Sequence, residues 1–511
     1  MAAAGGQRAF HLGLAALILI GLALRMVTLW TSGFSIDDIF TTMIVRPPNS
    51  FDSLVVERAI RIEANPPLYY LLAAAWQAVV GIGEVKLKAL SALLGALAIR
   101  AAYLLGRSLF PRRVLLMQAA LLACSYGAIL TGYAARPYAL LLLLGAVLTC
   151  LYFSAERNWR ETGCLSAGRL LPLCLAGTLA AYTHYFGLIF AGAIFAALLL
   201  QALWRRQVGA ALKSAGFGIL TLALFAPWLL YEVPRQQRII EEVSLFWFPE
   251  RAGEYLGQVI TFAAYLGGSS YGAAILFFAF LAVLWAGRER LKAPETLPRA
   301  RALGHCILLP ALALALIVLL NFVAPLSFAR FFVVLLPVLY LGLALAFDLW
   351  LERAEARGRG WFAMLPVLLL IALPLHAAWR FLEKPEDSSQ QAVDFVTREL
   401  GCTEGVVPTY QAAEFPDGLV AYNYYLEREG RDLRAETVER ADGTMAPLPG
   451  QDPACRLVLW MPSVYLEDPA ILAEVERGLG LAIDPESKRA EPPAETEVIG
   501  PHYIYYEPAG G

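Results

Sequence analysis

FHLGLAALILIGLALRMVTLW, residues 10–30, decides the fold, because an apolar run of this length spans the hydrocarbon core of a bilayer as a helix. Arg8 precedes it, as in a secretory signal. The run is too long for the apolar region of a signal peptide, however, and no clean small-x-small cleavage site follows, so it reads as an uncleaved anchor. Directly after it, TSGFSIDDIF (residues 31–40) sets Asp37 and Asp38 at the depth where lipid headgroups meet water. Acidic residues are hard to keep there, which makes the pair a functional candidate.

Of the 511 residues, 58% are hydrophobic and 16% charged, more apolar surface than a soluble core of this size uses. A formal net charge of −2 supplies no basic domain to displace phosphate counterions, which excludes nucleic acid as a partner. Most of the seven cysteines (Cys124, Cys150, Cys164, Cys174 and Cys306) lie in or beside apolar runs and read as small core residues without metal-ligand spacing. Cys402 and Cys455 fall in a polar tail, where a disulfide between them is permitted if the tail lies outside the cytoplasm.

Further apolar runs near 89–106, 114–132, 137–153, 170–186, 187–204, 214–231, 270–286, 303–322, 330–350 and 361–379 bring the expected spans to about eleven. Basic loops around Arg107/Arg112/Arg113, Arg157/Arg160/Arg169, Arg205/Arg206/Lys213, Arg288–Arg301 and Arg353/Arg357/Arg359 recur every two spans, as the positive-inside rule requires of cytoplasmic loops in the cytoplasmic (inner) membrane. The run from Asn65-Pro66-Pro67-Leu68-Tyr69-Tyr70 to Val80 would break that parity if it crossed. It is short, and its double proline suits a first helical turn, so it is expected to lie in the outer interface. The expected architecture is an all-α polytopic membrane bundle over residues 1–380, with a long outer loop at 31–88, followed by an extracytoplasmic soluble α/β domain over 381–511. In that domain 388–400 and 469–479 read as helices, and 405–408, 456–462 and 503–507 as strands.

Asp37 and Asp38 precede a short helical pattern, so they read either as N-caps or as a partly dehydrated carboxylate able to accept a proton. Arg136, in the turn GYAARPY, and Arg330, in APLSFAR, run against the positive-inside bias at the outer level. Each reads either as a snorkelling side chain or as a bidentate phosphate clamp. In YTHYFG (182–187) the tyrosines suit an aromatic belt, and His184 a hydrogen-bonded structural group, since no second histidine is placed to share a metal. One acidic site with cations drawn from several spans suits transfer from a lipid-linked phosphate to a hydroxyl: phosphate leaves readily, so no second carboxylate is needed as general acid. The rival is a transporter or lipid flippase, against which stand the one-sided charges and the lack of broken helix pairs or inverted repeats.

The acidic pair after the first span, the Pro-Pro-Leu-Tyr-Tyr helix at 66–70, the Ala-Arg-Pro-Tyr turn at 135–138 and the Tyr-Thr-His-Tyr-Phe-Gly run at 182–187 come in an order and spacing that resembles the GT-C membrane glycosyltransferases. The likeness is to the branch of protein O-mannosyltransferases and lipid A aminoarabinose transferases, over roughly residues 10–350. It implies a polyprenyl-phosphate sugar as donor, inverting transfer on the extracytoplasmic face, and Asp37 as base with Asp38 beside it. It also implies Arg136 and Arg330 at the donor phosphate, with Asn65, Tyr69, Tyr138, His184 and Tyr185 as cavity or substrate-binding residues. The implied partners are the lipid-linked donor, membrane lipids and an acceptor glycan, lipid or protein. A divalent metal is compatible with the family, with no ligand assigned. Two positions depart from the pattern: Ala134 stands where relatives often have glutamate, and Asn65 where histidine or lysine precedes the double proline.

Overall fold

In the computed structural model the opening run becomes one helix, α1 (Ala2–Thr31), with Leu12 and Leu19 exposed on one side and Phe10, Leu14 and Leu29 buried on the other. The structure describes residues 2–31, 34–59, 65–242, 252–267, 294–321, 329–358, parts of 271–281 and 368–402, and, further on, 404–409, 417–429, 432–437, 459–462, 473, 477 and 502–505. Next come α2 (Ile36–Val45), a π-helical turn (Asp52–Ala59), α3 (Leu68–Val80), α4 (Glu84–Gly106), α5 (Arg112–Cys124), α6 (Tyr126–Tyr133), α7 (Tyr138–Thr162), α8 (Ala167–Thr183) and α9 (Tyr185–Trp204). After these follow α10 (Val208–Glu242), α11 (Ala252–Gly267), α12 (Leu297–Asn321), a 3-10 segment (Ala329–Leu335) and α13 (Leu336–Glu355).

Among the described residues seven helices are long and apolar enough to cross a membrane: Phe10–Val27, Glu84–Gly106, Tyr138–Thr162, Tyr185–Trp204, Val208–Glu232, Leu297–Asn321 and Ala329–Glu355. Of the expected spans, 114–132 is a broken helix, α5 and α6 meeting at Ser125, and 170–186 is the 17-residue α8. The expected spans at 270–286 and 361–379 lie largely outside the described residues. The Pro-Pro-Leu-Tyr-Tyr helix, α3, has 13 residues, about 20 Å of rise against a hydrocarbon core of roughly 30 Å, too short to cross. α11 had no counterpart in the sequence reading.

The chain divides into two compact units, Met1–Leu29, Met43–Ile239 and Phe248–Leu382 in the first, and Trp30–Thr42, Ile240–Trp247 and Glu383–Gly511 in the second. In the first, the mostly buried α7 packs against α4, α8, α13 and the 3-10 segment. Arg25 is buried in α1. Its guanidinium donates to the carbonyls of Gly21 (2.7 Å), Ala123 (3.3 Å), Leu122 (2.9 Å) and Ala128 (2.7 Å), so it bridges α1 to the break between α5 and α6. Room for it comes from Gly132, where a Cβ would lie 2.5 Å from the Arg25 Cδ.

The second unit contains a four-stranded sheet in the order β2-β1-β3-β4, from β1 (Glu404–Thr409), β2 (Asp432–Thr437), β3 (Leu459–Pro462) and β4 (His502–Tyr505). β1 runs parallel to β2 and β3, and β4 pairs antiparallel with β3. A parallel pair needs a crossover, and α14 (Asp417–Arg428) lies between β1 and β2 in the chain. The expected strands thus recur as β1, β3 and β4, while β2 and α14 were not anticipated. Phe395–Glu399 is π-helical within the expected helix 388–400, and the expected helix at 469–479 lies almost entirely outside the described residues. Cys402 is buried and disulfide-bonded; its expected partner, Cys455, lies outside the described residues.

Candidate active site

The first unit gathers its site from three turns. α6 starts at an N-cap, Ser125, whose hydroxyl accepts the Ala128 amide, and ends after eight residues at Ala134 in extended conformation. Pro137 then opens α7, its carbonyl accepting the Leu141 amide, so the tight turn 134–137 leaves Arg136 and Tyr138 buried, 4% and 5% exposed.

The second turn is the break between α8 and α9. His184 is extended (φ −165, ψ 147) and caps α9: its Nδ1 accepts the Phe186 amide at 3.2 Å. Glycine at 187 is required by packing, since a Cβ there would lie 2.1 Å from the Ala180 carbonyl oxygen. This gives His-x-x-Gly a local reason: the histidine starts the helix and the glycine lets it begin against the end of the previous one.

The third turn is the 3-10 segment carrying Arg330. Its first amide, of Ala329, donates to the Gln258 side chain of α11 at 2.9 Å, and Phe332 stacks on Phe262 with centroids 5.2 Å apart. A Cβ at Gly145 of α7 would lie 2.5 Å from the Val334 carbonyl oxygen, so the segment rests directly on the α7 backbone.

These turns converge. The Arg330 guanidinium lies 5.9 Å from the Tyr138 ring centre and 5.8 Å from that of Phe331. The His184 ring stands 6.2 Å from Tyr138 and 4.6 Å from Phe331, and the charges of both Arg136 and Arg330 act on it. Four residues singled out from sequence, Arg136, Tyr138, His184 and Arg330, therefore share one end of the helical unit.

Of the other candidates, Tyr185 adjoins this group, its ring centre 6.4 Å from that of His184. Tyr69 is fully buried, its hydroxyl 3.3 Å from Ser91 of α4, and Asn65 is buried just before α3. Tyr185 accepts a hydrogen bond from the Trp228 indole at 3.1 Å, and the charge of buried Glu232, ion-paired to Arg235 at 2.9 Å, bears on it. Neither Glu232 nor Gln258 was singled out from sequence. A carboxylate at the end of the apolar run 214–231 was a signal for the first; nothing marked the second.

Asp37 and Asp38 belong to the second unit. Ser35, and neither aspartate, is the N-cap of α2: its hydroxyl accepts the Asp38 amide at 3.3 Å, and Asp38 Oδ2 accepts the Ser35 amide at 3.1 Å and hydroxyl at 3.0 Å. This reciprocal capping box explains the burial of Asp38 and leaves Asp37 half-buried in the first turn. The backbone just before it is held by the C-terminal fold, the Tyr425 hydroxyl of α14 donating to the Phe34 carbonyl at 2.6 Å with the Tyr424 ring 6.1 Å from that of Phe34. Among the described residues no three of His, Cys, Asp and Glu come together as a metal site would require.

Residues 64–231, which carry two of the three turns, match the family of dolichyl-phosphate-mannose-protein mannosyltransferases. The whole chain is similar in fold to ArnT from Cupriavidus metallidurans in the apo state, at 14% identity and TM-score 0.52, covering 99% of this chain and 98% of that one. The family match thus covers about a third of the chain, and the fold of the whole is that of a GT-C membrane glycosyltransferase. The same ArnT bound to undecaprenyl phosphate gives TM-score 0.50 at 13% identity, covering 97% of this chain and 98% of that one. A looser likeness joins it to the oligosaccharyltransferase of Archaeoglobus fulgidus in complex with zinc and sulfate, with TM-score 0.48, 15% identity, and coverage of 92% and 70%. No curated protein matches this chain in sequence.

Proposed function

We propose that this glycosyltransferase moves a sugar from a polyprenyl-phosphate donor to an acceptor hydroxyl on the extracytoplasmic face of the cytoplasmic membrane, with inversion at the anomeric carbon. The observation that carries the reading is the meeting of Arg136 and Arg330, from turns far apart in the chain, around Tyr138 and His184. Support also comes from the ArnT likeness, since that protein is known bound to undecaprenyl phosphate.

In this reading the acceptor oxygen attacks the anomeric carbon opposite the phosphate, the sugar–phosphate bond breaks, and the bonding pair leaves with the phosphate oxygen. The two guanidinium groups hold that phosphate and stabilise the charge that builds on it. Asp37, half-buried in the first turn of α2, takes the hydroxyl proton. Asn65, Tyr69 and Tyr185 line the approach of donor or acceptor. The soluble domain contributes by holding the segment that carries Asp37.

The test is turnover of a synthetic polyprenyl-phosphate sugar by the purified full-length protein, with the product anomer read by NMR. Inverted product is expected, and retained configuration would overturn the single-displacement mechanism. Asp37→Asn should lower turnover about a hundredfold or more, whereas Asp38→Asn, which keeps an acceptor for the Ser35 amide, should cost far less.

A further inference from the structure

His184 contains more chemistry than its capping role uses. Serine, threonine, asparagine or aspartate would cap α9 at least as well, through a single acceptor atom. Histidine adds a second nitrogen on the far side of the ring, and Nε2 is buried with no hydrogen-bond partner among the described residues, although the side chain is only 2% exposed. A buried polar atom left so costs free energy unless something else meets it.

The capping bond fixes what Nε2 is. Because Nδ1 accepts the Phe186 amide, that nitrogen holds no proton, and the neutral ring carries its hydrogen on Nε2. Nε2 is therefore a donor, and it cannot serve as a base without the capping bond being lost. The groups near the ring include the two cations Arg136 and Arg330 and the rings of Tyr138, Tyr185, Phe186 and Phe331. A cation cannot accept its hydrogen and no neighbouring hydroxyl is bonded to it, whereas an anion drawn in by the arginines can accept it.

We infer that His184 Nε2–H is a third ligand to the donor phosphate, a neutral donor set between two guanidinium groups that fixes the orientation of the phosphate by a directional bond. This rests on the reading of Arg136 and Arg330 as the donor-phosphate site and deepens it: binding there requires a fixed histidine tautomer, made by the fold of the α8–α9 junction. A neutral N–H keeps the phosphate in place without a third positive charge, which would over-stabilise bound product and slow its release.

Two substitutions separate the two nitrogens. Asparagine puts an acceptor near the position of Nδ1 and nothing at Nε2; glutamine reaches the position of Nε2 with an N–H and caps poorly. With full-length protein in phosphatidylglycerol-containing detergent micelles, binding of undecaprenyl phosphate and melting temperature are measured together. His184→Asn should keep the wild-type melting temperature yet bind undecaprenyl phosphate about five- to tenfold more weakly, the effect of one hydrogen bond to an anion. His184→Gln should melt lower but keep its affinity within about threefold. Wild-type affinity in His184→Asn would overturn the inference while leaving the arginine site standing. Equal loss of affinity in both variants would make the bulk of the ring the determinant and would also overturn it. Failure of the wild-type protein to bind undecaprenyl phosphate would sink the donor-phosphate reading itself.

Discussion

At the start of α7 the Arg330 guanidinium faces the rings of Tyr138 and Phe331 and, with Arg136, surrounds a neutral imidazole. At the far end of the same 25-residue helix, arginines meet carboxylates: Arg160 lies 2.8 Å from buried Glu156, and Arg205 and His305 approach the same carboxylate at 3.8 and 3.9 Å. On α12 and α13 at that end, Arg299 holds Asp348 at 2.7 Å and Glu352 at 2.6 Å. The contrast separates two uses of one side chain. Paired with a buried carboxylate, arginine locks helices together; set among aromatic rings, it serves in the proposed reading to draw an anionic substrate.

Substitutions at each end would break or sharpen that comparison. The largest effect is expected at the aromatic end: Arg136→Lys and Arg330→Lys should each lower turnover of a polyprenyl-phosphate sugar about tenfold or more, with melting temperature unchanged, because lysine cannot reproduce a bidentate fork. The loss should be larger in kcat than in donor affinity, since phosphate charge grows as the sugar–phosphate bond breaks. Full activity in both would erase the distinction between the ends. Next is Glu156→Gln, which leaves Arg160 and Arg205 beside a neutral amide: a cost of about 3 kcal/mol in stability is expected, seen as early thermal unfolding, with turnover per folded molecule intact. Smallest is Arg113→Ala, whose pairing with Glu355 at 3.2 Å joins two half-exposed side chains, so a change below about 1 kcal/mol is expected.

How much of this was legible in the sequence depends on what each feature needed. Arg136, His184 and Arg330 stood out singly because each violated a local rule of polarity or charge placement. Their meeting did not, because it depends on Gly145 and Gly187 letting backbones approach and on Gln258, which lies in a 16-residue helix too short to register as a span. The acidic pair was visible, but which residue capped α2 was not: Ser35 takes that part, and a reciprocal bond from three residues on is invisible to hydropathy. In the C-terminal unit β1, β3 and β4 could be read from short apolar alternation. β2, whose sequence DLRAET is mostly polar, could not.

Arg25 has a consequence for how the chain is made. It lies inside the apolar window Phe10–Val27, and of its four carbonyl partners only that of Gly21 is on its own helix; the others belong to residues about a hundred positions downstream. During synthesis α1 reaches the membrane long before those carbonyls exist, and Arg25, near the end of the window, then costs part of the roughly 2.5–3.5 kcal/mol of insertion free energy that an arginine costs at a helix centre. The first helix is thus seated provisionally and locked late, when the break between α5 and α6 arrives. A nascent chain halted before Leu122 should leave α1 loosely held, readily extracted from the bilayer, whereas one extended past Gly132 should retain it.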